Sequence, residues 1–122
     1  MIAVPALSAA LTADPTFAAV MVPAKATLPR GKVATTGVVF LRGVLNVNPA
    51  QGGVSAPATL FTLPAGMHPS CGGYLLATYR DQGSAPVVPL LLALSTGGAV
   101  SLVTGGLGYD SMIWLGGISF LL

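Results

Sequence analysis

Charge is what this chain has least of. Its 122 residues include five Lys or Arg and three acids, and there is no glutamate at all, so charged residues make up 7% of the sequence and apolar ones 53%. An average soluble domain carries roughly 25% charged residues. So small a set leaves too little charge to cover an isolated monomer. It also excludes the dense basic stripe that a nucleic-acid surface needs to make several phosphate contacts at once. The cations Lys25, Arg30, Lys32, Arg42 and Arg80 are scattered, and the net charge of +2 reflects the scarcity of acids, which are Asp14, Asp81 and Asp110.

Long apolar runs are missing as well. A spanning helix needs about 18 or more nearly unbroken apolar residues, whereas residues 87–94 are interrupted by Pro89 and residues 112–122 by Gly116-Gly117. Membrane insertion is therefore not expected. An obligate oligomer, whose interface resembles a domain core cut in half, accounts for the apolar excess. The Ala-rich opening, residues 1–13, lacks the positive n-region of a secretion signal and carries Pro5 early, so it reads as mature chain. The single cysteine, Cys71, excludes an internal disulfide framework.

Catalytic and metal constellations are absent too. His68 and Cys71 stand three apart and are the only His and Cys, while a structural zinc site needs four ligands and a catalytic one usually three. No metal and no cofactor are expected. Asp81 and Asp110 could form the carboxylate pair of a glycosidase, yet both sit in Gly-rich turns where Asp serves local hydrogen bonding. No nucleophile-elbow sequence is present, and the glycine pairs lack both the phosphate-loop lysine and the dinucleotide fingerprint. The chain reads as non-enzymatic, with no catalytic residues.

What is present is glycine, proline and β-branched sequence. Sixteen glycines and ten prolines interrupt any long helical pattern, and strand-forming runs recur between them. One short helix is suggested over residues 5–13, with Pro5 in its first turn and Leu7 and Leu11 on one face. Residues 1–34 are rich in Ala, Pro and Val and read as an extended arm. Its apolar residues Pro5, Leu7, Leu11, Phe17, Val20 and Met21 are the expected docking contacts.

From residue 35 the strands are clearer. Val39, Leu41, Gly43, Leu45 and Val47 alternate with Arg42 and Asn46, as a half-buried strand requires. Strands are expected over residues 58–63 and 74–80, and over 87–95, which is apolar enough to be buried on both faces. Thr96-Gly97-Gly98 makes a hairpin turn into residues 99–104. Turns are expected over 48–53, 81–85 and 105–108, and the chain closes with strands over 111–115 and 118–122, bent at Gly116-Gly117. This is an all-β chain, an antiparallel β-sandwich or jelly-roll-like domain over residues 35–122 with an N-terminal arm over 1–34. Trp114, flanked by Ile113 and Leu115, reads as core. Tyr109, Asp110 and His68, in turns or loops, are the candidate surface contacts.

The order of four pieces carries a resemblance over residues 38–122. They are Val39-Phe40-Leu41-Arg42-Gly43, Leu60-Phe61-Thr62-Leu63-Pro64-Ala65-Gly66-Met67-His68-Pro69, Thr96-Gly97-Gly98-Ala99-Val100 and Ile113-Trp114-Leu115-Gly116-Gly117-Ile118-Ser119-Phe120. Together they resemble the C-terminal head domain of phage tail fibres and minor tail proteins, in forms seen in phages of actinobacteria. The resemblance implies a homotrimeric β-sandwich on the surface of a virion. A fibre tip normally ends a long shaft, whereas here only the arm precedes the domain. The expected function is therefore that of a structural surface protein of a tailed phage, a capsid decoration or short head-spike trimer. Its partners would be its own copies and the major capsid protein or a tail protein. The alternative is the receptor-binding tip of a tail fibre recognising a host-surface glycan, and the same length also suits a piece of a longer fibre.

Overall fold

The computed structural model describes residues 2–27, 29–31, 33–47, 53–81, 85–108 and 111–122. The alternation in residues 38–47 is borne out: Val39, Leu41, Leu45 and Val47 are all buried, while Phe40 and Arg42 are exposed. The run is nevertheless two strands, because Gly43 takes φ +102 and turns the chain.

In chain order the strands are β1 (Ile2–Ala3), β2 (Ala6–Leu7), β3 (Leu11–Ala13), β4 (Ala18–Thr27), β5 (Val33–Arg42), β6 (Val44–Val47) and β7 (Gly53–Ser55). They continue with β8 (Ala58–Thr62), β9 (Gly73–Arg80), β10 (Val87–Leu94), β11 (Ala99–Leu102), β12 (Gly106–Gly108), β13 (Met112–Trp114) and β14 (Ser119–Leu121). A 3₁₀ turn, Pro29–Gly31, lies between β4 and β5. The protein is all-β, and no helix among the described residues is long and apolar enough to cross a membrane.

Eight strands form one antiparallel sheet in the order β2-β8-β11-β10-β9-β13-β6-β3. Its two edge strands, β2 and β3, are consecutive in sequence, so the edges lie only the span from Leu7 to Leu11 apart, at most about 14 Å of chain. The sheet is thus nearly closed. A second sheet, ordered β1-β4-β5-β14, shares its core: Ala19, Val39, Leu41 and Ile118 join Leu45, Leu60, Phe61, Leu92, Leu102 and Ile113 in one apolar cluster. A two-stranded ribbon, β7 with β12, carries the buried Leu107.

The two larger sheets are joined at one corner by three neighbouring chain passages. There β3 leads into β4, β5 into β6, and β13 into β14, and the three lie side by side in the same order in both sheets. Backbone bonds stitch them together: Asp14 N–H to Val44 O at 3.0 Å, Leu115 N–H to Gly43 O at 3.0 Å, and Leu41 N–H to Ile118 O at 2.9 Å. The corner closes because Gly43 has no side chain. A Cβ there would lie 2.4 Å from Phe17 Cα. Phe17 itself turns inward and meets Phe61 edge to face, with ring centroids 5.4 Å apart. The bend expected at Gly116-Gly117 is the third passage, a turn closed by Ile118 N–H to Leu115 O at 3.2 Å, with Gly117 at φ +88.

The N-terminal region differs from the expected arm. Residues 2–27 supply strands to both sheets, and the division at residue 34 falls inside β5. No helix forms over residues 5–13. The hydroxyl of Ser8 accepts Ala10 N–H and its carbonyl accepts Leu11 N–H, which makes a turn, and Ala6 and Leu7 pair with Thr62 and Phe61 of β8. The proposed docking side chains are largely used internally. Pro5, Leu11 and Phe17 are buried, Leu7 and Met21 pack against the core, and Val20 is half-buried. The physical reason is that these are the apolar residues with which the chain closes its own sheets.

One smaller expectation also changes. Gly106–Gly108 is a strand and not a turn, because β7 offers it a partner. Residues 48–52 and 82–84, where turns were expected, lie outside the described residues apart from their flanks.

Two predictions follow from the corner. Gly43→Ala combines a left-handed backbone with a backbone clash and should lower stability by at least about 2 kcal/mol, a fall in Tm of roughly 6–10 °C in a thermal melt. An unchanged Tm would mean that the turn over residues 14–17 can step aside. Asp14 accepts Val44 N–H at 3.1 Å and Thr16 Oγ–H at 2.9 Å. The Val44 amide, aided by Thr16, holds its carboxyl below the ordinary aspartate value. Because the folded-state value is depressed, its stabilisation is present above the unfolded value of about 3.9 and lost as pH falls through the folded one. Denaturant titrations should therefore show wild type more stable than Asp14→Asn at pH 7, with the gap closing below about pH 4.

Candidate functional site

The most distinctive surface arises where a sequence expectation fails. Strand β10, apolar throughout, was expected to be buried on both faces. In the structure only one face is covered: Leu90, Leu92 and Leu94 are buried, while Val87, Pro89 and Leu91 are exposed. The antiparallel register sets matching residues of β9 beside them. Tyr74 lies opposite Ala93, Leu76 opposite Leu91, Thr78 opposite Pro89 and Arg80 opposite Val87. Side chains alternate across a strand, so Leu75 and Ala77 point into the core, and Tyr74 (69% exposed) and Leu76 (65%) point out.

Strand β13 extends this outer face. Trp114 pairs with Thr78 and Met112 with Arg80. Trp114 is therefore not core, as its apolar neighbours had suggested. Those neighbours, Ile113 and Leu115, are the fully buried pair, and alternation sends the indole to the other side, where it is half-buried. Arg80 folds down over it. Its Cζ stands 5.6 Å from the Trp114 ring centroid, its Nη2 donates to Met112 Sδ at 3.8 Å, and its Nε is shut from water without a hydrogen-bond partner among the described residues. A cation held against an indole is favourable by about 0.5–1 kcal/mol at partly exposed sites.

The rim of this face is polar. Thr59 and Ser101 share a hydroxyl contact of 3.4 Å on one side, and Asn46, with Thr12 opposite it in β3, borders the other. An apolar centre with a polar rim is the usual anatomy of a protein–protein interface.

The other candidate residues have structural roles or fall outside view. His68 is exposed, but its Nε2 is 2.8 Å from Leu63 O, and its ring lies where a Cβ on Gly98 would be, 2.4 Å from Cδ2. It clamps the loop over residues 63–72 to the β10–β11 hairpin turn, where Gly98 takes φ +82 as the hairpin reading requires. Tyr109 and Asp110 lie outside the described residues. Asp81 accepts a hydrogen bond from Ser111 Oγ at 2.8 Å, and Ser111 is fully buried. Among the described residues, no three His, Cys, Asp or Glu side chains gather into a group that could hold a metal ion.

Sequence reasoning passed over Leu76, Leu91, Val87 and Arg80. The available signal was the failure of β9 and β10 to alternate: Tyr74-Leu75-Leu76-Ala77 and Leu90-Leu91-Leu92-Ala93 are apolar on both faces.

The Asp81–Ser111 contact generates its own test. Asp81→Ala strands a buried hydroxyl and should cost about 1–3 kcal/mol. Ser111→Ala in the same background should recover part of that loss. A double-mutant cycle by chemical denaturation reads the coupling, and strict additivity would deny the contact a role.

No protein-family model matches this chain, and neither any curated protein nor any solved structure is significantly similar to it.

Proposed function

We propose that the protein is a non-enzymatic structural component of a tailed-phage particle, a homotrimer of jelly-roll-like domains that decorates the capsid surface. The observation that carries this reading is an all-β fold whose outer sheet face is apolar and almost uncharged, in a chain whose four sequence pieces resemble, in order, those of the head domain. A glycan site needs hydrogen-bonding groups beside its stacking ring. Tyr74 instead has Leu76 and Ala93 as neighbours on the face, which favours packing against protein over recognition of a host sugar.

The strands of the N-terminal region argue against attachment through a free arm, since removing residues 1–30 would take Leu11, Phe17 and most of the partner of β5. The element that suits docking is the β4–β5 hairpin. Beyond Gly37 its two strands pair only with each other among the described residues. Its sequence holds Lys25, Arg30, Lys32 and Arg42, four of the five cations, and no acid. An acidic patch on the capsid protein is the complementary partner.

Purified protein should bind particles that lack it, and microscopy should show it on the capsid in groups of three. The variant Lys25→Ser/Arg30→Gly/Lys32→Ser should bind at least about tenfold more weakly, with a reduced salt dependence. Density confined to the tail tip, together with adsorption to host cells, would transfer the reading to receptor recognition. Absence from both sites would overturn it.

A further inference from the structure

We infer that the outer face of β9, β10 and β13, centred on Leu76 and Leu91, is the surface through which copies of this chain associate. The inference deepens the homotrimer reading by naming its interface.

Three observations support it. The first is area. With about 200 Å² for a large side chain, the exposed fractions of Tyr74 (69%), Leu76 (65%), Val87 (54%) and Leu91 (42%) amount to on the order of 450 Å² of surface in water. That is more than half of the roughly 800 Å² each partner commits to a standard interface. Pro89, Ala93, Trp114 and Met112 add to it. It also lies within the 300–600 Å² range of the largest patch on a typical monomer, which is often functional.

The second is charge. Self-association repeats whatever charge a face carries. The three strands of this face, β9, β10 and β13, contain one charged residue, Arg80, already laid over Trp114 and Met112. The competing apolar surface is the outer face of the four-stranded sheet, where Val22, Phe40 and Leu121 are exposed. It belongs to the hairpin that holds Lys25, Arg30, Lys32 and Arg42. Packing copies through that face gathers like charges, which costs affinity.

The third is the sequence of the strands themselves. A strand apolar on both faces is the pattern of burial on both faces, and the chain's own fold covers only one face of β9 and β10. A second copy supplies the missing cover in the same chemistry. Around a threefold axis, three copies of Leu76 and Leu91 would pack against one another, and the hydroxyl rim of Thr59 and Ser101 would face water.

The test is sedimentation equilibrium on the full chain. Wild type should sediment at three times the 12.1 kDa of one chain. Leu76→Arg/Leu91→Arg should weaken association at least about a hundredfold, giving monomers with an unchanged far-UV spectrum and thermal transition. Leu121→Arg, on the other apolar face, should keep the wild-type mass. If the double variant does not fold, Thr78→Lys places a single charge on the same face at an already exposed position and should dissociate the protein likewise. Wild-type mass retained by a folded face variant, or a monomer produced by Leu121→Arg alone, overturns this interface while leaving the homotrimer standing. A monomeric wild type at every concentration overturns both.

Discussion

The whole arrangement hangs on how closely the backbone of residues 14–17 approaches Gly43. Three chain passages cross there from the nearly closed sheet into the second one, and the two outer ones are each hydrogen-bonded to the middle one. The middle strand must turn without shifting its phase: Val39 and Leu41 before the bend and Leu45 and Val47 after it all face inward. Gly43 occupies the inward position between them, and Phe17 backbone fills the space a side chain would have taken. Were the phase lost by one residue, the whole apolar set of β6 would face water. The carboxylate of Asp14, bonded to Val44 N–H, fixes the outer passage at the same point.

From that corner the closure of the molecule follows. The passage from β3 to β4 puts β4 beside β5, where it pairs along all ten of its residues. This leaves the preceding segment to reach the far edge of the eight-stranded sheet, where β2 covers β8. Edge strands invite unwanted pairing, and here both edges are drawn together by the turn at Ser8. The N-terminal residues are therefore a strap that closes the fold, and the apolar side chains of Leu7, Leu11 and Phe17 are spent inside it.

How much of this was legible depends on whether the signal is local. Alternation in residues 39–47, the hairpin glycine at 98 and the bend at 117 are local, and each is found where its residues place it. Strands β1, β2 and β3 are two or three residues long, too short for any periodicity, and exist because β4, β8 and β6 offer them an edge. Composition there reads as an arm for the same reason: Ala, Pro and Val in a short strand look no different from an extended tether. Trp114 was legible in principle, since buried residues on both sides of it in a strand force it outward. The pairing of Gly106–Gly108 with β7 was not, because three residues with two glycines carry no strand preference of their own.

The outer face of β9 and β10 shows what sequence alone can and cannot decide about function. Low charge and two-sided apolar strands both report an excess of apolar side chains, but neither says which of them stay outside the core. Register decides it. Once Leu75, Ala77, Leu90 and Leu92 are drawn into the core, the period of two sends Tyr74, Leu76, Leu91 and Pro89 outward as one contiguous face. The same register brings Arg80 beside Trp114 and Met112, so that the one cation in strands β9, β10 and β13 lies against the face. Folded onto an indole, it leaves the face apolar in effect, and the excess hydrophobicity first visible as a shortage of charge becomes a specific place on the molecule.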